Sequence, residues 1–186
     1  MKKNETKKKG LILYELNEVP RELLEKYVIL KPNSTIAEII SRSKLYDTYT
    51  YDIGELHPWT TWPTIHRGVN NDKHNIQFIN QELEINDKYP PIWDILQENC
   101  VTVGVYGSLQ SYPPIKSKFI KFFLPDTFSP DPKAYPRELE EFQQFNLSIC
   151  KDNKAVSNNI KSKLYFDFLK LFFSKTISIS SFLKTF

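Results

Sequence analysis

Ile92-Trp-Asp-Ile-Leu-Gln-Glu-Asn-Cys-Val-Thr-Val-Gly-Val-Tyr106 is the stretch that decides the fold class. Its first half reads as a compact helix entered from Pro90-Pro91, with Cys100 ending a buried helix. Its second half, Val101 to Tyr106, is a short apolar run of strand length, broken by Gly107-Ser108-Leu109-Gln110. The same switch of period recurs outward in both directions. Upstream, Gly10 to Asn17 reads as a buried strand whose C-terminal end carries Glu15, Asn17 and Glu18. Pro20 then opens a helix to about Leu30, at the favoured first-turn position. A second helix starts at Asn33-Ser34 as cap and runs through Ile36, Ile39 and Ile40. Lys44 to Tyr51 alternates as a strand does. Downstream, Phe119 to Leu124 reads as a strand, Pro125 to Pro136 as a proline-punctuated loop, and Arg137 to Phe145 as a helix. Strands alternating with helices predict an α/β fold, a mostly parallel sheet flanked by helices.

Composition sets the limits around that fold. A chain of 186 residues fits one domain to one and a half. Its 40% hydrophobic and 14% aromatic content is enough to build a core. Prolines outnumber glycines 12 to 5, so the loops are stiff. The net charge of +3 is concentrated in Lys2, Lys3, Lys7, Lys8 and Lys9, which read as a disordered basic leader over residues 1–9. Without it the chain is nearly neutral, which argues against a nucleic-acid-binding face. Cys100 and Cys150 lack metal spacing and read as free thiols of a reducing compartment. The apolar run after the leader is too short for a secretory signal, and no segment reaches the roughly 18 apolar residues of a membrane span. These features imply a cytoplasmic location.

Residues 56–76, Leu-His-Pro-Trp-Thr-Thr-Trp-Pro-Thr-Ile-His-Arg-Gly-Val-Asn-Asn-Asp-Lys-His-Asn-Ile, carry the functional signal. Thr60, Thr61 and Thr64 lie among two tryptophans and two prolines. Pro58 and Pro63 make this a poor ordinary helix and favour a rigid loop leading into a helix N-terminus. Free N–H groups at such a terminus hold an anion beside a hydroxyl nucleophile. Against this stands an aromatic-rich turn that packs on the core. In parallel sheets ligands bind beyond the carboxyl ends of the strands, where Glu15, Asn17, Glu18, Ser108 and Gln110 are expected.

In order and spacing, Glu15-Leu-Asn-Glu18, Pro58 to Gly68, His74-Asn-Ile76, and Ile92-Trp-Asp-Ile-Leu followed by Val-Gly-Val-Tyr resemble the N-terminal part of the alkaline phosphatase superfamily. The nearest branch is the type I phosphodiesterase/nucleotide pyrophosphatase and sulfatase-like proteins. The resemblance covers about residues 10–147 and implies an incomplete alkaline phosphatase-like core over residues 10–150. It further implies a metal-dependent phosphoric or sulfuric ester hydrolase with a threonine nucleophile, Thr61, Thr60 or Thr64 in that order. Asn17 takes the place of the family's first metal-binding aspartate, and Glu15 is the nearby carboxylate. The implied cofactors are divalent cations, zinc or manganese, although an asparagine supplies no charge to hold them. Asn80 is implied as a donor to the phosphoryl oxygens, with Trp59, Trp62, Ser108 and Gln110 lining the substrate. Arg67 reads as a surface ion pair and His74 as a structural hydrogen-bonding residue.

The family's remaining metal ligands include histidines that lie well downstream, whereas this sequence has no histidine after His74. Residues 151–186 read instead as a connector followed by apolar positions at helical spacing, from Leu164 to Phe173 and Ile177 to Leu183. That segment implies packing on the sheet, self-association or contact with a membrane surface. The expectation is therefore an N-terminal fragment or shortened relative of such a hydrolase, truncated within residues 151–186 and inactive alone. A non-catalytic α/β binding module or degenerate remnant is the alternative.

Overall fold

The computed structural model describes residues 10–79, 81, 88–151, 162–173, 177, 178 and 180. The chain divides into two compact units, Met1–Tyr49 and Thr50–Phe186. The basic leader and Asn80 lie outside the described residues.

The first unit contains two helices, α1 (Arg21–Leu30) and α2 (Thr35–Ser41). Pro20 caps α1 one place earlier than expected, and its carbonyl accepts from the N–H groups of Leu23 and Leu24. Ser34 caps α2 as the sequence implies, its hydroxyl accepting from Ala37 N at 3.2 Å. Arg21 bridges Glu25 and Asp47 at 2.8 Å, but all three are exposed, so the pair adds little stability.

The expected strands at Gly10–Asn17 and Lys44–Tyr51 do not form. Leu11 and Ile12 stand 94% and 87% exposed, and Tyr46 and Tyr49 are exposed as well. An apolar or alternating run becomes a strand only when a neighbour completes its backbone ladder. Among the described residues neither run has one.

The second unit begins with α3 (Pro58–Arg67), α4 (Asn71–His74) and α5 (Ile92–Glu98). The expected rigid loop at 58–67 is a helix throughout. Pro58 sits at the first helical position, where a missing N–H costs nothing, and Gly68 ends the helix at φ 65°. Pro63 lies inside the helix and is buried. Cys100 is exposed at φ 61° just past the end of α5, not buried at its last turn.

Two parallel strands follow, β1 (Val103–Tyr106) and β2 (Ile120–Leu124). The parallel sense agrees with expectation, whereas the sheet among the described residues has these two strands only. Val105 faces Phe123 and Tyr106 faces Leu124, with a register shift between Val103 and Gly104. Phe123 and Tyr135 add an antiparallel bridge, exchanging both backbone hydrogen bonds. Gly104 pairs with Phe122, and a Cβ there would stand 2.4 Å from the Phe122 ring. A turn of 3-10 helix, Arg137–Leu139, leads into α6 (Glu140–Lys151), and α7 (Ser162–Phe173) packs against α6. Both fulfil the helical expectation for these stretches.

The core is Trp93, Val105, Ile120 and Phe123, with Val103, Ile115 and Tyr135 packed around it. Phe123 is fully buried and meets Trp93 edge-on at 6.1 Å. Two parallel strands cannot enclose a core alone, so the aromatic rings close it. Phe123→Ala is expected to cost about 3–5 kcal/mol, measured by urea unfolding of the two variants side by side.

Candidate functional site

Asp52, Thr64 and His74 form the densest polar cluster around the threonine-bearing helix. The Ile76 N–H donates to His74 Nδ1 at 3.0 Å, which leaves the proton of the neutral ring on Nε2. Nε2 lies 2.9 Å from Thr64 Oγ1 and donates to it. The Thr64 hydroxyl proton in turn points to the Asp52 carboxylate, 2.7 Å from Oδ2 and 2.9 Å from Oδ1. Asp52 Oδ1 also accepts from Asn71 N at 2.8 Å. The Asn71 side chain closes the cluster from the other side: its Oδ1 accepts from Ile53 N and its Nδ2 donates to Ile53 O. One chain of hydrogen bonds therefore runs from Ile76 through an imidazole and a hydroxyl to a carboxylate, and clamps residues 52–53 onto α3 and α4.

His74 is wholly buried, which pulls its pKa below the usual histidine value; Asp52 opposes that shift and Arg67 adds to it. Protonating Nδ1 would break the bond from Ile76, so neutrality and geometry agree. Arg67 is not a surface ion pair. It is half-buried and donates to the Tyr89 carbonyl, and burial lowers its pKa against the opposing pull of Asp94.

The other two threonines are differently placed. Thr60 is buried and donates to Gln77 O at 3.4 Å. Thr61 donates back to His57 O, one turn earlier, at 3.2 Å. The anion-binding terminus expected here is also reduced: the first helical residue is a proline, and the N–H groups of Thr60 and Thr61 both donate to His57 O. Trp59 and Trp62 stack on different histidines. Trp59 stacks on His57 at 4.6 Å, and Trp62 stacks on His66 at 5.9 Å. His66 continues the run to Trp93 at 4.9 Å.

Ser108 and Gln110 follow β1, as expected, but both are buried and bonded inward. Ser108 Oγ meets His66 Nε2 at 3.3 Å. Gln110, at φ 60°, donates from its backbone to Asp126 Oδ2 and from its side chain to Phe78 O. Asp126 is a buried carboxylate whose pKa is raised by desolvation, with backbone N–H groups of Phe128, Gln110 and Ser111 opposing the rise.

Glu15 and Asn17 belong to the first unit, Asn17 in an exposed turn and Glu15 half-buried. At Thr64 the donors are one carboxylate and an imidazole whose two nitrogens are already bonded. Among the described residues no group of three His, Cys, Asp or Glu is placed to hold a metal ion. The residues around the threonines thus do not fit a two-cation site.

Sequence reasoning missed Asp52. Its signal is an acidic residue directly after an alternating stretch and ten or so residues before a hydroxyl-rich segment, too common a pattern to single out. Compared with models of known families, with curated proteins and with solved structures, the chain matches none.

Thr64→Val keeps the shape and removes the hydroxyl, leaving Asp52 and His74 short of a partner. A loss of about 1–3 kcal/mol is expected in denaturant unfolding, and Thr64→Ser is expected to restore most of it. The lowered pKa of His74 has a definite sign. The unfolded ring takes up its proton first as pH falls below about 6.5, so the stability contributed by neutral His74 is full above that value and is lost as pH falls toward the lowered native pKa. Unfolding free energy measured from pH 7.5 to 5.5 is expected to decline more steeply in the wild type than in His74→Gln.

Proposed function

We propose that this chain is a shortened relative, or the N-terminal part, of a metal-dependent phosphodiesterase/phosphatase-like hydrolase of the alkaline phosphatase superfamily, and that it does not turn over alone. The order of motifs from Glu15 to Tyr106 supports the family reading. One observation supports the inactive reading: the hydroxyls of Thr60 and Thr61 donate to main-chain carbonyls, Gln77 O and His57 O, which cannot take up a proton as a base. A nucleophile must instead present its oxygen to substrate with a base at hand.

Thr64 is the hydroxyl closest to such an arrangement, with Asp52 placed to take its proton and the Nε2–H of His74 placed to hold the oxygen. That order differs from the sequence reading, which favours Thr61. In a complete site, zinc or manganese would stabilise the charge of a phosphoryl or sulfuryl ester. Phosphate or sulfate esters are the substrate class on this reading, and a cytoplasmic setting is in keeping with two free thiols.

Metal content of the purified chain and hydrolysis of an aryl phosphodiester in added zinc or manganese provide the test. No stoichiometric metal and no turnover above the blank are expected. Metal-dependent turnover that Thr64→Ala or Thr61→Ala abolishes, with the fold intact by circular dichroism, would overturn the inactive reading.

A further inference from the structure

The segment that follows α4 is lightly held. The chain leaves the helix through Asn75 at φ 53°, a conformation that asparagine tolerates. Ile76 is fully buried, whereas Gln77 and Phe78 are exposed. Hydrogen bonds run from these residues to three neighbouring elements. Ile76 N donates to His74 Nδ1 of α4 at 3.0 Å, and Gln77 O accepts from the Thr60 hydroxyl of α3 at 3.4 Å. Phe78 O accepts from Gln110 Nε2, in the turn after β1, at 2.7 Å. Gln81 braces the segment on itself, its side chain meeting Gln77 N, Phe78 N and Asn75 O.

One of these bonds can be removed by a single proton. An imidazole nitrogen accepts a hydrogen bond only while it is unprotonated, so a proton on Nδ1 would set two N–H groups against each other. The contact of Nε2 with Thr64 survives, because that nitrogen donates in both forms of the ring. The break is therefore confined to the Ile76 side of His74. Charged groups around the ring act in both directions: Asp52, before α3, and Asp72, on α4, favour the imidazolium, and Arg67, on α3, opposes it. Burial away from water acts more strongly than any of them and keeps the ring neutral while the segment is closed.

We propose that His74 is a proton-operated latch: protonation of Nδ1 expels the Ile76 N–H and releases residues 75–78 from α3 and from the turn after β1, with β1 and β2 still paired. Opening frees the Thr60 hydroxyl from Gln77 O and the Gln110 side chain from Phe78 O. Acid thus presents polar groups that the closed segment keeps engaged. The latch is a local event, distinct from the loss of overall stability on acidification, which opens the strands as well. It stands on hydrogen-bond geometry and holds whether or not the chain hydrolyses an ester.

Amide hydrogen exchange of the full chain tests it, followed by NMR at pH 7.5 and 5.5 in a series of low urea concentrations. The released segment leaves an ordinary histidine, so opening is favoured as pH falls below about 6.5, by up to about tenfold across this range. Protection of Ile76, Gln77 and Phe78 is expected to fall by that factor with little dependence on urea, since a short segment exposes little surface. Phe123, whose N–H is bonded to Tyr135 O, is expected to keep the steep urea dependence of global unfolding. His74→Gln is expected to abolish the pH response of the segment. Protection of Ile76 that ignores pH in the wild type overturns the proposal. A urea dependence at Ile76 equal to that at Phe123 overturns it too, because the acid response is then global unfolding alone. Where His74→Gln does not fold, the wild type carries the second arm. The Ile76 amide resonance is expected to move with the His74 ring as it titrates, and an amide that does not follow the ring overturns the latch.

Discussion

The burial of Phe123 is the constraint on which the second unit rests. A two-stranded parallel ladder leaves both faces of its strands to be covered, and few helices are available to cover them. Phe123 answers on three sides: it belongs to β2 opposite Val105, it bridges to Tyr135 through the backbone, and its ring meets Trp93. From Trp93 the ring contacts continue through His66 to Trp62. The helix that carries the threonines is thus positioned by aromatic packing that begins in the sheet. Its far side is then fixed by polar contacts, through Thr64, to Asp52 and His74.

This double anchoring explains why α3 survives an internal proline. Proline in a helix interior removes a backbone bond and crowds the preceding turn, an energetic penalty of about 3 kcal/mol. Stacking of Trp62 on His66 and the Thr64 hydrogen bonds lie on either side of Pro63 and offset that penalty. The same bonds restrict the hydroxyls. A threonine whose proton and lone pairs are held by neighbours stabilises the fold.

Much of the fold was legible in the sequence, for local reasons. The cap at Ser34, the helix after Pro91, the strands at 103–106 and 120–124 and the helix from Arg137 are set by caps, prolines and short apolar runs. The failures share a cause. Leu11 to Tyr14 and Lys44 to Tyr51 have strand-like patterns, yet pairing is a long-range property that a pattern cannot supply. The segment at 58–67 failed in the opposite sense, because two prolines suggested a loop where tertiary contacts maintain a helix. At the site, the sequence singled out the threonine-rich segment and the hydrogen-bonding character of His74. It ranked Thr61 above Thr64, since Asp52 becomes a partner only when residues distant in sequence meet. The proposed alkaline phosphatase-like relationship rests on motif order alone.

Gln143 ties together parts of the molecule that the strands do not reach. It is fully buried in α6, and its Nε2 donates both to the Asp126 carbonyl and to Ser129 Oγ. Asp126 in turn accepts from Gln110 and Phe128. The first turn of α6 therefore cannot fray without releasing the loop after β2 and the turn after β1. In amide exchange these three segments would open as one cooperative unit with a shared protection factor, although β2 lies in sequence between the turn after β1 and the other two.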